Sequence, residues 1–202
     1  MKLHFDLLDK IYITSDTHAF HINITRGTSN WGDTGEFRFR DFDHWQEMTE
    51  QMVKNFNDTI PEDGILFHLG DWSFNGKDKI EIFRNMLNVK EIHIITGNHD
   101  EHIEKGSYDH LFTSRHKYLE LFIGSLQFNL FHFNISSWNN INRGAYHLHG
   151  HQHWQEDQRF SPGKCMDVGV DGNNLFPYKL IDVIDLLKDR KKFDLNDHHT
   201  YS

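Results

Sequence analysis

The sequence is nearly without cysteine. Cys165 stands alone among 202 residues, so no internal disulfide can form, and a metal site would have to use histidine, carboxylate and amide donors rather than a thiolate cluster. Long apolar runs are missing as well. No stretch approaches the roughly 20 residues that cross a bilayer, and the opening MKLHFDLLDK has neither an apolar core nor a small-residue cleavage site. These absences set the expectation of a soluble, cytoplasmic protein with no membrane partner. Positive charge is scarce: 21 Lys and Arg against 30 Asp and Glu leave a formal net charge of −9. That balance argues against a grip on long duplex nucleic acid, although bound divalent cations would offset part of it locally. No repeat, low-complexity block or linker divides the chain, and 37% hydrophobic residues suffice for one sizeable core. Residues 1–189 are therefore expected to form a single domain and 190–202 a polar tail, while the oligomeric state stays open.

Histidine, by contrast, is abundant, with 17 copies. Four of them alternate in HLHGHQH, His147 to His153. On an extended strand, residues i, i+2 and i+4 share a face, so the four imidazoles would line up. One strand face cannot surround an ion, because tetrahedral and octahedral coordination need donors from several directions. Other segments must contribute if a site exists.

Along the first half, strands and helices alternate. Lys10–Ser15 (KIYITS), Gly64–Leu69 (GILFHL) and Glu91–Thr96 (EIHIIT) read as apolar strands. Phe42, Trp45, Met48, Met52, Val53 and Phe56 recur at helical spacing, opened by the capping-like pair Asp43 and Gln46, and Ile80, Phe83, Met86 and Leu87 mark a second helix. This βαβαβ order implies parallel pairing with helices on the sheet. In the second half, Tyr118–Ile123 and Leu126–Phe131 flank Gly124-Ser125 as a two-residue hairpin, Ala145–His149 and Cys165–Val170 are further strand candidates, and Tyr178–Leu187 reads as a closing helix or a last strand followed by one.

The residues just beyond each strand carry the chemistry. After the first comes Asp16-Thr17-His18, after the second Gly70-Asp71, after the third Gly97-Asn98-His99-Asp100, then His132 after LQFNLF and finally HLHGHQH. Loops beyond the carboxyl ends of strands in an open α/β sheet converge on one edge, so these groups would meet in space. Asp, His and Asn donors in this mixture suit two borderline or hard divalent ions.

The set DTH, GD, GNHD, FH and GHQH, in this order from Asp16 to His153, resembles the calcineurin-like metallophosphoesterases. The flanking ITSDTHAFHINI, FHLGDWSF, IITGNHDEH and MDVGVDG resemble its small bacterial and phage branch. The resemblance implies an α/β fold, a four-layer α/β/β/α sandwich with mixed sheets, and a dinuclear centre. Asp16, His18 and His153 would hold one metal ion and Asn98, His132 and His151 the other, with Asp71 bridging. His99 matches the family's proton-donating histidine, and Asp100 is expected to orient it. The implied reaction is hydrolysis of a small or medium phosphate ester, a diester in preference to a monoester, by in-line attack of a hydroxide bridging two ions roughly 3.5–4 Å apart. Manganese is the favoured metal, with iron, zinc and nickel also accepted by these donors.

Other residues fit the resemblance less closely. Phe133-Asn134 comes after His132 where the family commonly has an aromatic residue and proline. His21 and Asn23 match the branch's D-x-H-x-x-H-x-N pattern and, with Arg40, are candidates for substrate phosphate, although His21 and Asn23 could equally brace a loop. The polar segment 25–39 reads as a substrate loop or as a solvated insertion. His68 and His149 are expected to support ligands from behind, and His147 to be structural. A nuclease acting on short or single-stranded nucleic acid is the competing activity, and a non-catalytic metal-binding scaffold is disfavoured because His99, Asp71 and Asn98 are all retained.

Overall fold

Runs in which every side chain is buried need cover on both faces, and Ile11–Thr14 and Ile65–His68 are two of them. The computed structural model describes residues 1–31 and 39–191. Its elements in chain order are β1 (Lys2–Phe5), β2 (Ile11–Thr14), α1 (Trp45–Thr59), β3 (Ile65–His68), α2 (Asp78–Met86), β4 (Glu91–Ile95), α3 (Glu101–Glu104), β5 (Ser114–His116), β6 (Tyr118–Ile123), β7 (Leu126–Phe131), β8 (Tyr146–His149), β9 (Phe160–Ser161), β10 (Cys165–Asp167), β11 (Tyr178–Lys179) and α4 (Leu180–Leu187).

They form two mixed sheets, one of five strands in the order β11-β2-β3-β4-β5 and one of six in the order β1-β6-β7-β8-β10-β9. Period-two alternation sorts the side chains of the first sheet. Tyr12, Leu66, Ile92 and Ile94 pack under Met48, Met52 and Phe56 of α1 and Ile80 and Phe83 of α2. Ile11, Ile13, Ile65, Phe67 and Ile95 face the other way, onto Leu119, Leu121, Phe128, Leu130, Leu148 and Met166 of the six-stranded sheet. The far side of that second sheet is covered by Trp138, Ile141 and Ala145 over Cys165, around a 3-10 turn at Ile141–Arg143. Helix α4 inserts Leu180, Val183 and Leu187 into the inter-sheet cluster and packs against β2 and β11. The layered α/β class expected from the sequence is therefore the one observed.

Strands β2, β3 and β4 pair in parallel, and so do β7 and β8. Their carboxyl ends lie along one edge of the molecule. The hairpin between β6 and β7 has Ile123 opposite Leu126, with Gly124 at φ +55°. A positive φ at that turn is what the glycine is for.

Some local features differ from expectation. The Asp43 and Gln46 pair does not cap α1, whose N-cap is His44 with no side-chain hydrogen bond; Asp43 instead accepts from Arg26 Nη2 at 2.9 Å. The strand over Cys165–Val170 ends at Asp167 and gives way to a 3-10 turn at Val170–Asn173. Residues 32–38 of the 25–39 segment and 192–202 of the tail lie outside the described residues.

Candidate metal centre

The loops after β2 and β3 are laced together before any ligand is considered. Asp16 N–H donates to Gly70 O at 2.9 Å, and His18 N–H to Asp71 O at 3.0 Å. Gly150 N–H donates to His132 O at 2.9 Å, joining the loops after β7 and β8 in the same way. Asp16, His18, Asp71, His151 and His153 all adopt positive φ, between 45° and 71°. Each such non-glycine residue costs about 1–3 kcal/mol, and Asp and His tolerate it better than most. Five at one place turn their side chains inward against local preference.

Two groups of donor atoms result, Asp16 with His18 and His153, and Asp71 with His132 and His151, each with its ligand atoms within 4.8 Å of one another. Asn98 adds its Oδ1, 2.9 Å from His132 Nε2. The seven predicted ligands are thus brought together, and His151 and His153 fall in different groups. Asp71 Oδ2 lies 3.4 Å from His18 Nε2 and 3.5 Å from His132 Nε2, while its Oδ1 accepts from His99 N–H at 2.9 Å. Donor atoms bound to one tetrahedral ion at the usual ligand distances sit about 3.4 Å apart.

The donor set itself fits cations. Asp16 Oδ1 and both ring nitrogens of His18 are buried without a hydrogen-bond partner, an arrangement that costs free energy unless something else satisfies them. His132 Nδ1 lies 2.7 Å from Leu69 O, which requires the proton on Nδ1, so the neutral ring that a metal ligand must be has its lone pair on Nε2, aimed at the Asn98 oxygen. Two acceptors face each other there, as ligands of one ion do. Burial, reinforced by His153 and Arg40, holds the His18 pKa well below the ordinary range, keeping its imidazole neutral as a ligand must be. Burial pushes the Asp16 carboxyl up to about 7 against the pull of His153, so a neighbouring cation is what would keep it ionised.

Behind the ligands stands a residue not expected from the motifs alone. Asp171 Oδ2 lies 2.7 Å from His153 Nδ1, and both Asp171 oxygens accept from Arg40, at 2.8 and 3.0 Å. Burial raises the Asp171 pKa, but Arg40 and His153 outweigh it and hold the carboxyl well below the usual range. A carboxylate on the far nitrogen of a metal-binding histidine fixes the ring and raises its basicity. MDVGVDG, which contains Asp171, was the available signal.

Arg40 is not placed to bind substrate as expected. It is 6% exposed, and beyond Asp171 it donates to Asp16 O at 2.6 Å, Thr17 O at 2.7 Å and Met48 Sδ at 3.6 Å. Its guanidinium props up the ligand loop. Asp100 also departs from its expected role. Its carboxylate accepts from the backbone N–H groups of Asp71 (2.7 Å), Gly97 (2.8 Å) and Trp72 (3.0 Å), tying the GD loop to the GNHD loop rather than orienting the His99 ring. Asn23 Oδ1 accepts from Asn30 N–H at 3.1 Å and His21 Nδ1 from Ile24 N–H at 2.9 Å, so both brace their own loop. His21 nonetheless keeps its ring 5.7 Å from that of His18.

His68 bonds Thr17 Oγ1 at 2.9 Å through Nε2 and accepts from Gly70 N–H at 3.2 Å through Nδ1, holding both ligand loops from beneath. His149 Nδ1 donates to Gly150 O at 3.0 Å. Gly150 itself is needed for space rather than for an unusual φ: a Cβ there would lie 2.0 Å from Ser15 Oγ and 2.3 Å from Asp16 Oδ2. His99 is exposed at the rim, its ring centre 5.6 Å from that of His18. A cavity of about 690 Å³ is bordered by Asp171 and Arg40 but by none of the seven candidate ligands, so volume alone does not mark the chemistry.

No family model matches the chain. It is 28% identical over 188 residues to the uncharacterized protein MJ1445 of Methanocaldococcus jannaschii, covering 90% of this chain and 93% of that one. Among solved structures it is similar to AQ665 of Aquifex aeolicus, a protein of unknown function, with 22% identity and a TM-score of 0.62 over 87% of this chain and 98% of the other. That likeness is one of fold. YfcE, a phosphoesterase from E. coli, aligns more loosely, with 14% identity and a TM-score of 0.41 over 79% of this chain and 77% of its own, too distant to bear on the chemistry here.

Proposed function

We propose that the chain is a metal-dependent phosphoesterase of the calcineurin-like superfamily, acting on small or medium phosphate esters at a dinuclear centre, with manganese the favoured metal. The observation that carries this reading is the place of Asp71 Oδ2, 3.4 and 3.5 Å from the facing nitrogens of two histidines that belong to different donor groups. An anionic oxygen shared between two donor groups is what a pair of neighbouring cations requires. Asp16, His18 and His153 would hold one ion, and Asn98, His132 and His151 the other. When bound, the ions would supply Lewis acidity that offsets the charge of the phosphate oxygens and activates water near neutral pH.

The chain's own residues do the rest. Asp171, His68 and Asp100 hold the ligand loops in register, so little reorganisation is needed as charge develops on the ester. His99, its backbone N–H fixed on Asp71 Oδ1, stands at the open rim where its ring can pass a proton to the departing alkoxide oxygen. Cys165 is no competing nucleophile, since burial pushes its thiol up to about 12. The commitment of Arg40 to Asp171 and to loop carbonyls supports a diester preference, because a dianionic monoester would lack that clamp. A screen of bis-p-nitrophenyl phosphate against p-nitrophenyl phosphate in manganese tests the reading. Faster release from the diester is expected; the opposite order removes the diester preference, and no release from either compound removes the phosphoesterase reading.

A further inference from the structure

Beside His99 the rim opens into a cleft of about 220 Å³, bounded by Phe74, Asn75, Lys77, His99 and His102 over the buried Ile80. One wall is aromatic. The Phe74 ring centre lies 4.8 Å from that of His99, 5.1 Å from that of His18 and 4.0 Å from that of His21, and His21 in turn faces the half-exposed Trp31 at 5.5 Å. The backbone fixes this ring in place. Phe74 N–H donates to Ala19 O at 2.8 Å, the Asn75 amide donates to Phe20 O, and Asn75 and Gly76 take φ of +64° and +119°. A tight, tethered turn thus holds a phenyl group half-buried between the candidate metal centre and the cleft, rather than in either hydrophobic core.

Resting on the phosphoesterase reading, we propose that this cleft receives the leaving group of the ester and that Phe74 selects planar aromatic leaving groups there, an aryl ring or a nucleobase. The leaving oxygen must come within hydrogen-bonding reach of His99, and His99 lines the cleft, so the group attached to that oxygen projects into it. The volume accepts one ring system and is below that of a typical drug-sized pocket. A phenyl wall favours a planar partner by offset or edge-to-face stacking. Over the other donor group, Phe133 packs against His151 and His132, with ring centres 4.7 and 4.9 Å away. That ring touches the second set of candidate ligands rather than His18 and His99, and provides an internal control.

Calorimetric titration of the manganese-loaded protein with phenylphosphonate and with methylphosphonate tests the assignment, since the two probes share a head group and differ by the ring. The wild type is expected to bind the phenyl compound about tenfold more tightly. Phe74→Ala should bring the two within about twofold while leaving methylphosphonate affinity unchanged, and Phe133→Ala should preserve the preference. Phe74→Leu, which keeps apolar bulk without a stacking face, should behave like the alanine variant and guards against a folding artefact. A preference that survives both Phe74 variants, that disappears in Phe133→Ala instead, or that is absent from the wild type overturns this inference alone. Failure of methylphosphonate to bind protein that carries its manganese overturns the phosphoesterase reading beneath it.

Discussion

Asp171 and Asp71 differ by what surrounds them. Asp71 exposes one oxygen to two histidines, whereas Asp171 is enclosed by Arg40 and His153 and acts on the centre only through that histidine ring. Asp171→Asn should therefore weaken manganese at the Asp16, His18 and His153 group by about 10- to 100-fold and spare the other group. Equilibrium dialysis with circular dichroism as a check on folding would read this; unchanged affinity in a folded variant would show that His153 needs no anchor. His99→Ala separates in a different way. Esters with alkyl leaving groups should slow by roughly 10²- to 10⁴-fold, and p-nitrophenyl esters, whose leaving group needs no proton, far less; equal losses would assign His99 another role. At this scale the donor groups that the structure brings together were legible because strand ends and motif spacing both point to them, including His132, which the Leu69 carbonyl positions despite the missing proline. The roles of Arg40, Asp100 and Gly150 were not legible. A guanidinium or carboxylate can serve a substrate or a backbone equally well, and only distances decide.

Among the elements, the strands covered on both faces were legible nearly to the residue, because a short unbroken apolar run between polar segments suits little besides a buried strand. Strands β1 and β5 were not legible. Lys2–Phe5 offers only two apolar residues, Leu3 and Phe5, too short an alternation to mark a strand, and Ser114–His116 has none, so tertiary pairing with β6 and β4 defines them. Strand β8 adds a consequence for stability. His147 Nδ1 donates to Asn129 O at 2.9 Å and Nε2 accepts from Ile135 N–H at 3.3 Å, so both nitrogens are used by the neutral form. Burial lowers its pKa to about 4 from the 6.5 of an unhindered histidine. The unfolded chain then binds the extra proton first. The contribution to stability is complete above pH 6.5 and is lost as pH falls towards 4, amounting to about 2 kcal/mol at pH 5. Urea unfolding of the wild type and of His147→Gln at pH 7.5 and pH 5 should show the wild type losing about that much more than the variant; parallel losses would mean the ring is not held neutral.

The molecule as a whole brings the five donor-bearing loops after β2, β3, β4, β7 and β8 to one edge of two sheets and carries a net charge of −9. Among the described residues no helix is long and apolar enough to cross a membrane. That charge opposes the approach of a polyanion, so manganese-loaded protein is expected to leave long duplex DNA intact. Cleavage of single-stranded oligonucleotides that weakens steeply with salt would instead favour the nuclease alternative. Fold class and loop convergence could be read from the order of strands, helices and motifs, and the donor mixture set the expectation of two ions, a number that measurement decides. Metal content per chain, measured by elemental analysis after manganese loading and gel filtration, tests this most directly. The account predicts close to two ions in the wild type and loss of most of both in Asp71→Asn, because one oxygen serves both donor groups; full occupancy in that variant would contradict it.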